Sequence, residues 1–177
     1  VANTPAVLMF TVTDAVLPFI SSASIACGFH AGDPLTIERT IRSAMRHGVG
    51  IGAHPGYPDR QNFGRKPMTM SPRELRAMIL YQAGAVKAMA AAAGARMRHV
   101  KPHGALYNTA ATDYELSVVI ARAVRELDPS LILVGQSGSQ MIRAARDTGL
   151  ACASEVFADR VYDDNGALVA RSTENAV

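Results

Sequence analysis

Three histidines stand where chemistry is expected: His30, His54 and His103 each follow a short apolar run and each sit beside glycine or proline. Imidazole gives and takes protons near neutral pH and is the commonest metal ligand. The stretches are ACGFHAGDP (26–34), GIGAHP (50–55) and HVKPHG (99–104), and a further apolar run at 150–153 leads to Glu155. Histidines sharing a mouth with a carboxylate suit general acid–base catalysis. His30, Asp33 and His54 also have the N and O donors of a mononuclear metal site with open positions for water. Both readings stand at this level.

Other reactive residues have simpler explanations. Asp33 precedes Pro34 and fits a helix N-cap. Cys27 ends an apolar run, where a cysteine is more often a small hydrophobe than a nucleophile. His47 and His99 are read as packed or surface residues. The turn at 135–139 either binds an anion through backbone N–H groups or caps a helix through serine. No G-x-x-x-x-G-K-[ST] segment occurs, so the standard nucleotide-binding loop is absent.

The elements that must position these residues alternate. Strands are expected at 20–26, 49–53, 97–101, 131–134 and 150–153. Helices are expected at 34–47, at 71–93 behind the capping box Ser71-Pro72-Arg73-Glu74, after a second box at Thr112-Asp113-Tyr114-Glu115, and after Ser139. The run at 131–134, apolar throughout, predicts a strand covered by helices on both faces. Residues 60–70 read as a long functional loop, Asp163-Asp164-Asn165-Gly166 as a hairpin turn, and 7–13 as a possible strand by composition alone. Five strands alternating with four helices predict parallel βα units, whose strand carboxyl ends gather on one face. On that rule His30, His54, His103 and Glu155 enter one mouth.

Bulk properties narrow the class. At 177 residues and 49% hydrophobic content the chain supports one core, so a single domain over 1–177 is expected. The net charge of +3 is dispersed, without a basic arm, which argues against nucleic acid. Two cysteines make no disulfide framework, and a reducing cytoplasm is the default. No apolar stretch suggests a membrane span or a signal peptide.

The stretches ACGFHAGDP, IGAHPGYPD, HVKPHGALYN, DPSLILVGQSGS and SEVFADRVY, taken together and in order, resemble the LamB/YcsF family of lactam-utilisation proteins, to which the A component of the ATP-dependent 5-oxoprolinase belongs. The resemblance covers 14–177 and leaves 1–13 unassigned. It implies an α/β fold, a distorted (β/α) barrel of the glycoside hydrolase/deacetylase type. It also implies a part in hydrolysing the lactam of 5-oxo-L-proline to L-glutamate, with ATP and Mg2+ and with subunits B and C as partners. The family's strand-end residues correspond to His30, Asp33, His54, His103 and Glu155 as catalytic groups. Asp59, Lys101, Tyr107, Asn108, Asp159 and Arg160 correspond to substrate-binding groups. The family's acidic opening of the type D-x-N-x-D-x-G-E is absent from 1–13, and the family continues past the position of Val177, so the barrel is expected to be incomplete in this chain. Two other readings are a metal-dependent deacetylase or amidohydrolase of the same barrel class, and a non-catalytic scaffold or carrier. Whether a transition metal binds is left open.

Overall fold

The computed structural model describes residues 15–164 together with 166, 168, 169 and 173. The candidate strand at 7–13 lies outside the described residues. After a short 3-10 turn at Leu17–Phe19, five strands alternate with helices: β1 (Ser22–Ala26), α1 (Pro34–Arg46), β2 (Gly50–His54), α2 (Pro72–Ala92), β3 (Met97–Val100), α3 (Gly104–Thr112), α4 (Tyr114–Leu127), β4 (Ile132–Gln136), α5 (Gln140–Asp147) and β5 (Cys152–Glu155).

Every neighbouring pair of strands is parallel, and the order is β1-β2-β3-β4-β5. A strand order that only advances has no reversal point of the doubly wound kind and is the progression of a β/α barrel. Among the described residues β1 and β5 remain edges, so the barrel is not closed.

Alternation along the strands separates two faces. Ile25, Ile51, Ala53, Met97, Val100 and Leu133 are buried against helical residues such as Ile37, Ile41, Ile79, Val86, Ile120, Val124 and Met141. Burying an aliphatic side chain of this size contributes about 1.5–3 kcal/mol, so this one layer supplies most of the cohesion between sheet and helices. The opposite face is the barrel's inner side, and it carries Ser24, Gly52 and His99. The helices cover one face of β4, contrary to the expectation for 131–134: Leu133 is fully buried while its neighbour Ile132 is 37% exposed.

Helix starts follow local chemistry. Asp33 accepts from the Thr36 N–H at 3.0 Å, and Ser71 and Glu74 form the expected reciprocal box. The second box is displaced. Thr112 ends α3, and Asp113 caps α4 by accepting from the Leu116 N–H at 2.9 Å. α3 itself falls where the sequence reads as a turn. The Pro102-His103-Gly104 opening obscures it, although Leu106 and Ala110, four residues apart, both face the core. β4 and β5 also extend past their apolar runs, pairing Gln136 with Glu155 at their tips. The Gly166 N–H donates to the Asp163 carbonyl at 2.9 Å beside an antiparallel Tyr162–Leu168 bridge.

Candidate functional site

The sheet delivers the three histidines to one place. His54 is the last residue of β2, His103 precedes α3 directly after β3, and His30 lies in the turn between β1 and α1. Gly28 gives that turn its shape with φ +94° and an N–H bonded to the Ala31 carbonyl at 2.8 Å. The His30 and His103 rings stack at 3.9 Å and 4°. His54 meets His103 edge-on, with Nε2 3.0 Å from Nδ1.

Backbone carbonyls fix both rings of that edge-on pair. His54 Nδ1 lies 2.5 Å from the Lys101 carbonyl oxygen, and His103 Nε2 lies 2.7 Å from that of Phe63. Phe63 belongs to the loop after β2 and has φ +56°, which is costly for a bulky residue and is found mainly at functional positions. Its ring sits edge-on to both His30 and His103. Arg60 ties the same loop to the first turn by donating to the carbonyls of Gly28 and Gly32.

Two glycines leave the space for the stack. A Cβ at Gly56 would come within 2.7 Å of His30 Nδ1, and one at Gly64 within 2.8 Å of His30 Cβ and 2.9 Å of His103 Cδ2. Gly56 is in turn held by the fully buried Gln82 of α2, whose amide accepts from the Gly56 N–H at 3.1 Å and donates to its carbonyl at 2.9 Å.

Burial governs the proton chemistry. His30, only 2% exposed, is pushed down to about 4 by desolvation, with the charges of His103 and Arg60 adding to it. His54 and His103 are also lowered, first by desolvation. For His54 the neighbouring His103 and Lys101 charges reinforce this, and for His103 the carbonyl of Phe63 opposes it. Two full charges on these rings at once are therefore disfavoured. His30 Nδ1 is buried without a hydrogen-bond partner. The Cys27 thiol donates to the Ile25 carbonyl and burial pushes it up to about 12, so it is a packed hydrophobe rather than a nucleophile.

A second group adjoins the histidines. Lys101 pairs with Glu155 Oε1, and the Tyr107 hydroxyl donates to Glu155 Oε2 at 3.0 Å. Desolvation and that carboxylate hold the Tyr107 phenol protonated. The Lys101 ammonium lies 5.0 Å from the Phe157 ring centroid. A cavity of about 490 Å3 opens over both groups, lined by His54, Lys101, His103, Tyr107, Asn108 and Arg160 together with Arg65 and Phe157.

His30, His54, Lys101, His103, Tyr107 and Glu155 are thus brought together, with Asn108 and Arg160 on the cavity wall. Asp33, Asp59 and Asp159 stand outside that wall. Asp33 spends its carboxylate on Thr36 at the α1 cap. Asp59 accepts from the Asn62 and Lys66 N–H groups and shapes the loop, and Asp159 is exposed. His47 bonds its own helix at the Ser43 carbonyl, and His99 packs over Gly52 with its Nε2 3.1 Å from the Ser24 hydroxyl. Ser139 caps α5. Phe63, Arg65, Gln82 and Phe157 carry no motif. For Phe63 and Arg65 the local signal is the length of the loop at 60–70 and the density of glycine around it, and Phe157 lies within the SEVFADRVY stretch without standing out in it.

Among the described residues no group of three or more His, Cys, Asp or Glu side chains is arranged to hold a metal ion. The face-to-face stacking of His30 on His103 aims their ring nitrogens along parallel planes rather than at one point. The arrangement fits proton transfer beside a cation that meets negative charge. A second cavity of about 530 Å3 lies at the opposite end of the strands, lined by Ser22, Gly50, Arg98, His99 and Ile132, away from this cluster. No helix among the described residues is long and apolar enough to cross a membrane.

The sequence and the fold match known proteins. The LamB/YcsF family profile matches residues 6–177. The A component of 5-oxoprolinase from Geobacillus thermodenitrificans is 56% identical over 162 residues, covering 92% of this chain and 63% of the relative. That of Tolumonas auensis is 54% identical, with 92% and 64% covered. The crystal structure of the lactam utilization protein from Thermus thermophilus superposes with a TM-score of 0.86 at 46% identity, over 90% of this chain and 65% of that one. The chain therefore spans a little under two thirds of the length of these proteins.

Proposed function

This chain belongs to the LamB/YcsF family, and we propose that it is part of an ATP-dependent 5-oxoprolinase that opens the lactam of 5-oxo-L-proline to L-glutamate. The observation that carries the reading is the convergence of three strand-end histidines with the Lys101–Glu155–Tyr107 group beside one cavity, whose wall takes in His54, His103, Lys101 and Tyr107. The relatives' shared name, as the A component of 5-oxoprolinase, supports it. That name also supports a complex, in which we propose subunits B and C as the partners.

An amide carbonyl is a poor electrophile, and phosphorylating its oxygen makes a good leaving group. ATP with Mg2+ is the co-substrate of the complex, and without a standard phosphate loop in this chain the phosphorylation belongs to the partners. This chain takes the hydrolytic half. The His54–His103 pair manages the protons of the attacking water and the leaving nitrogen. Lys101 and Arg160 meet phosphate or the developing oxyanion at the cavity wall. Glu155 orients Lys101 and Tyr107 rather than a histidine, which narrows its role to positioning. Asp59, by shaping the loop that carries Phe63, acts on the site indirectly.

The relatives' names favour neither a metal-dependent deacetylase nor a non-catalytic carrier. The test is to combine the protein with subunits B and C and follow glutamate formation from 5-oxoproline with and without ATP. ATP-dependent turnover that requires this chain is expected. Binding of 5-oxoproline without turnover in any mixture of the components would overturn the reading in favour of a carrier.

A further inference from the structure

We infer that His54 and His103 hold a single proton between them, as an imidazole–imidazolium pair, and that this shared proton is the one delivered to the leaving nitrogen. The inference follows from counting donors. A carbonyl oxygen can only accept, so the ring nitrogen facing it must carry hydrogen. His54 Nδ1 faces the Lys101 carbonyl at 2.5 Å, and His103 Nε2 faces the Phe63 carbonyl at 2.7 Å. A neutral imidazole has one N–H, and each ring has now used it.

The two remaining nitrogens, His54 Nε2 and His103 Nδ1, face each other at 3.0 Å. Two neutral rings would set lone pair against lone pair at hydrogen-bond distance. One added proton turns that repulsion into a charge-assisted bond. Rotating either ring by half a turn does not help, because it puts carbon where both of that ring's nitrogen contacts are.

The surroundings set how many protons the pair takes. Lys101, just past β3, and Arg65 from the loop oppose positive charge, as does Arg60 beside His30. Glu155 from β5 partly offsets Lys101 through their ion pair, and the Tyr107 hydroxyl from α3 is spent on Glu155. Arg160 lines the same cavity, and the Cys27 thiol beneath His54 stays protonated. His30, stacked flat on His103, stays neutral and presents a π-face to the charged ring. Desolvation lowers the pKa of each ring taken alone, and the facing lone pairs act against it: one shared proton turns their repulsion into a bond, whereas a second would place two charges in a desolvated site. The pair titrates as a unit whose two steps are driven apart.

The use of that proton rests on the hydrolytic reading above. Water bonds through its oxygen to the acyl carbon of the O-phosphorylated lactam, and the C–N bond breaks with its electron pair going to nitrogen, which takes the shared proton. The water returns a proton to the pair, so the pair ends as it began. The phosphoryl group stays on the acyl oxygen as an acyl phosphate, which a second water cleaves to the free carboxylate and inorganic phosphate.

The proton count is tested on the full chain with 15N-labelled histidine, by imidazole nitrogen and proton spectra from pH 5 to 9. His47→Gln removes one exposed ring from the spectrum. Three protons on the four nitrogens of His54 and His103 at pH 7, one of them far downfield and bridging, is the expected result. Two protons, with one carbonyl-facing nitrogen bare, would overturn it. This readout does not depend on turnover, so it separates failure of the pair from failure of the hydrolytic reading. In the reconstituted complex kcat should fall tenfold per pH unit above the pair's upper pKa, where the shared proton is lost. A flat profile through that pKa would refute the donor role.

Discussion

Gln82→Leu offers a quantitative check on how the site is held. Gln82 is fully buried and makes two bonds to one residue, accepting from the Gly56 N–H and donating to the Gly56 carbonyl. Leucine is close in volume, so the packing change is small, while both backbone groups of Gly56 lose their buried partner. Leaving a buried polar group unsatisfied costs about 1–3 kcal/mol, so the pair should cost about 2–6 kcal/mol. In a chain of this length each kcal/mol lowers Tm by about 2–4 °C, which predicts a fall of order 10 °C. Gln82→Glu should be at least as damaging, because a carboxylate keeps the acceptor and turns the donor into a second acceptor against the Gly56 carbonyl. The assay is urea unfolding followed by far-UV circular dichroism, with glutamate formation in the reconstituted complex measured alongside. Loss of less than about 1 kcal/mol would refute the claim that Gln82 carries the Gly56 turn. So would a normal rate, because the Gly56 turn packs so close to His30 that not even a Cβ fits between them.

Three further outcomes follow from the same geometry. Tyr107→Phe removes a bond to an ionised carboxylate and should cost about 1.5–3 kcal/mol in urea unfolding; an unchanged midpoint would mean the contact contributes nothing. Because the folded His30 pKa lies near 4, below the usual histidine value of about 6.5, the unfolded chain binds more protons between those values. Stability should therefore drop on acidification from pH 6.5 to 4, and the advantage of the wild type over His30→Phe should shrink across that window; parallel curves would remove the assigned cause. Cys27 should resist iodoacetamide at pH 8 in the native protein and react once unfolded, as mass spectrometry would show, whereas fast native alkylation would contradict its burial.

The site was partly legible because one rule carries far: in parallel βα units the carboxyl ends of the strands share a face. Three histidines after apolar runs were enough to place His30, His54 and His103 together, and in the structure their rings are in contact. What the rule cannot supply is the partner of each group. Glu155 reads as support for a histidine, yet extension of β5 to its tip sets it on Lys101 and Tyr107. Phe63 contributes a backbone carbonyl, which any residue could supply, and only the left-handed φ betrays it. Gln82 lies on the buried side of α2, where an amide among leucines and alanines looks like a lapse in an apolar stripe. α3 was hidden because glycine and proline at its start are also turn residues. The reverse error, two covered faces for β4, came from an apolar run that is buried on one side and lines the open inner face on the other.

If the histidine cluster and the lysine–glutamate group form one hydrolytic site, its histidines must carry turnover. The most direct measurement is glutamate production by the complex reconstituted with subunits B and C, comparing wild type with His54→Ala and His103→Ala, each first shown to be folded by circular dichroism. General acid–base groups typically contribute about 10²–10⁴-fold, so either substitution should lower kcat by that factor while the complex still assembles. Near-normal glutamate production by both folded variants would contradict the assignment.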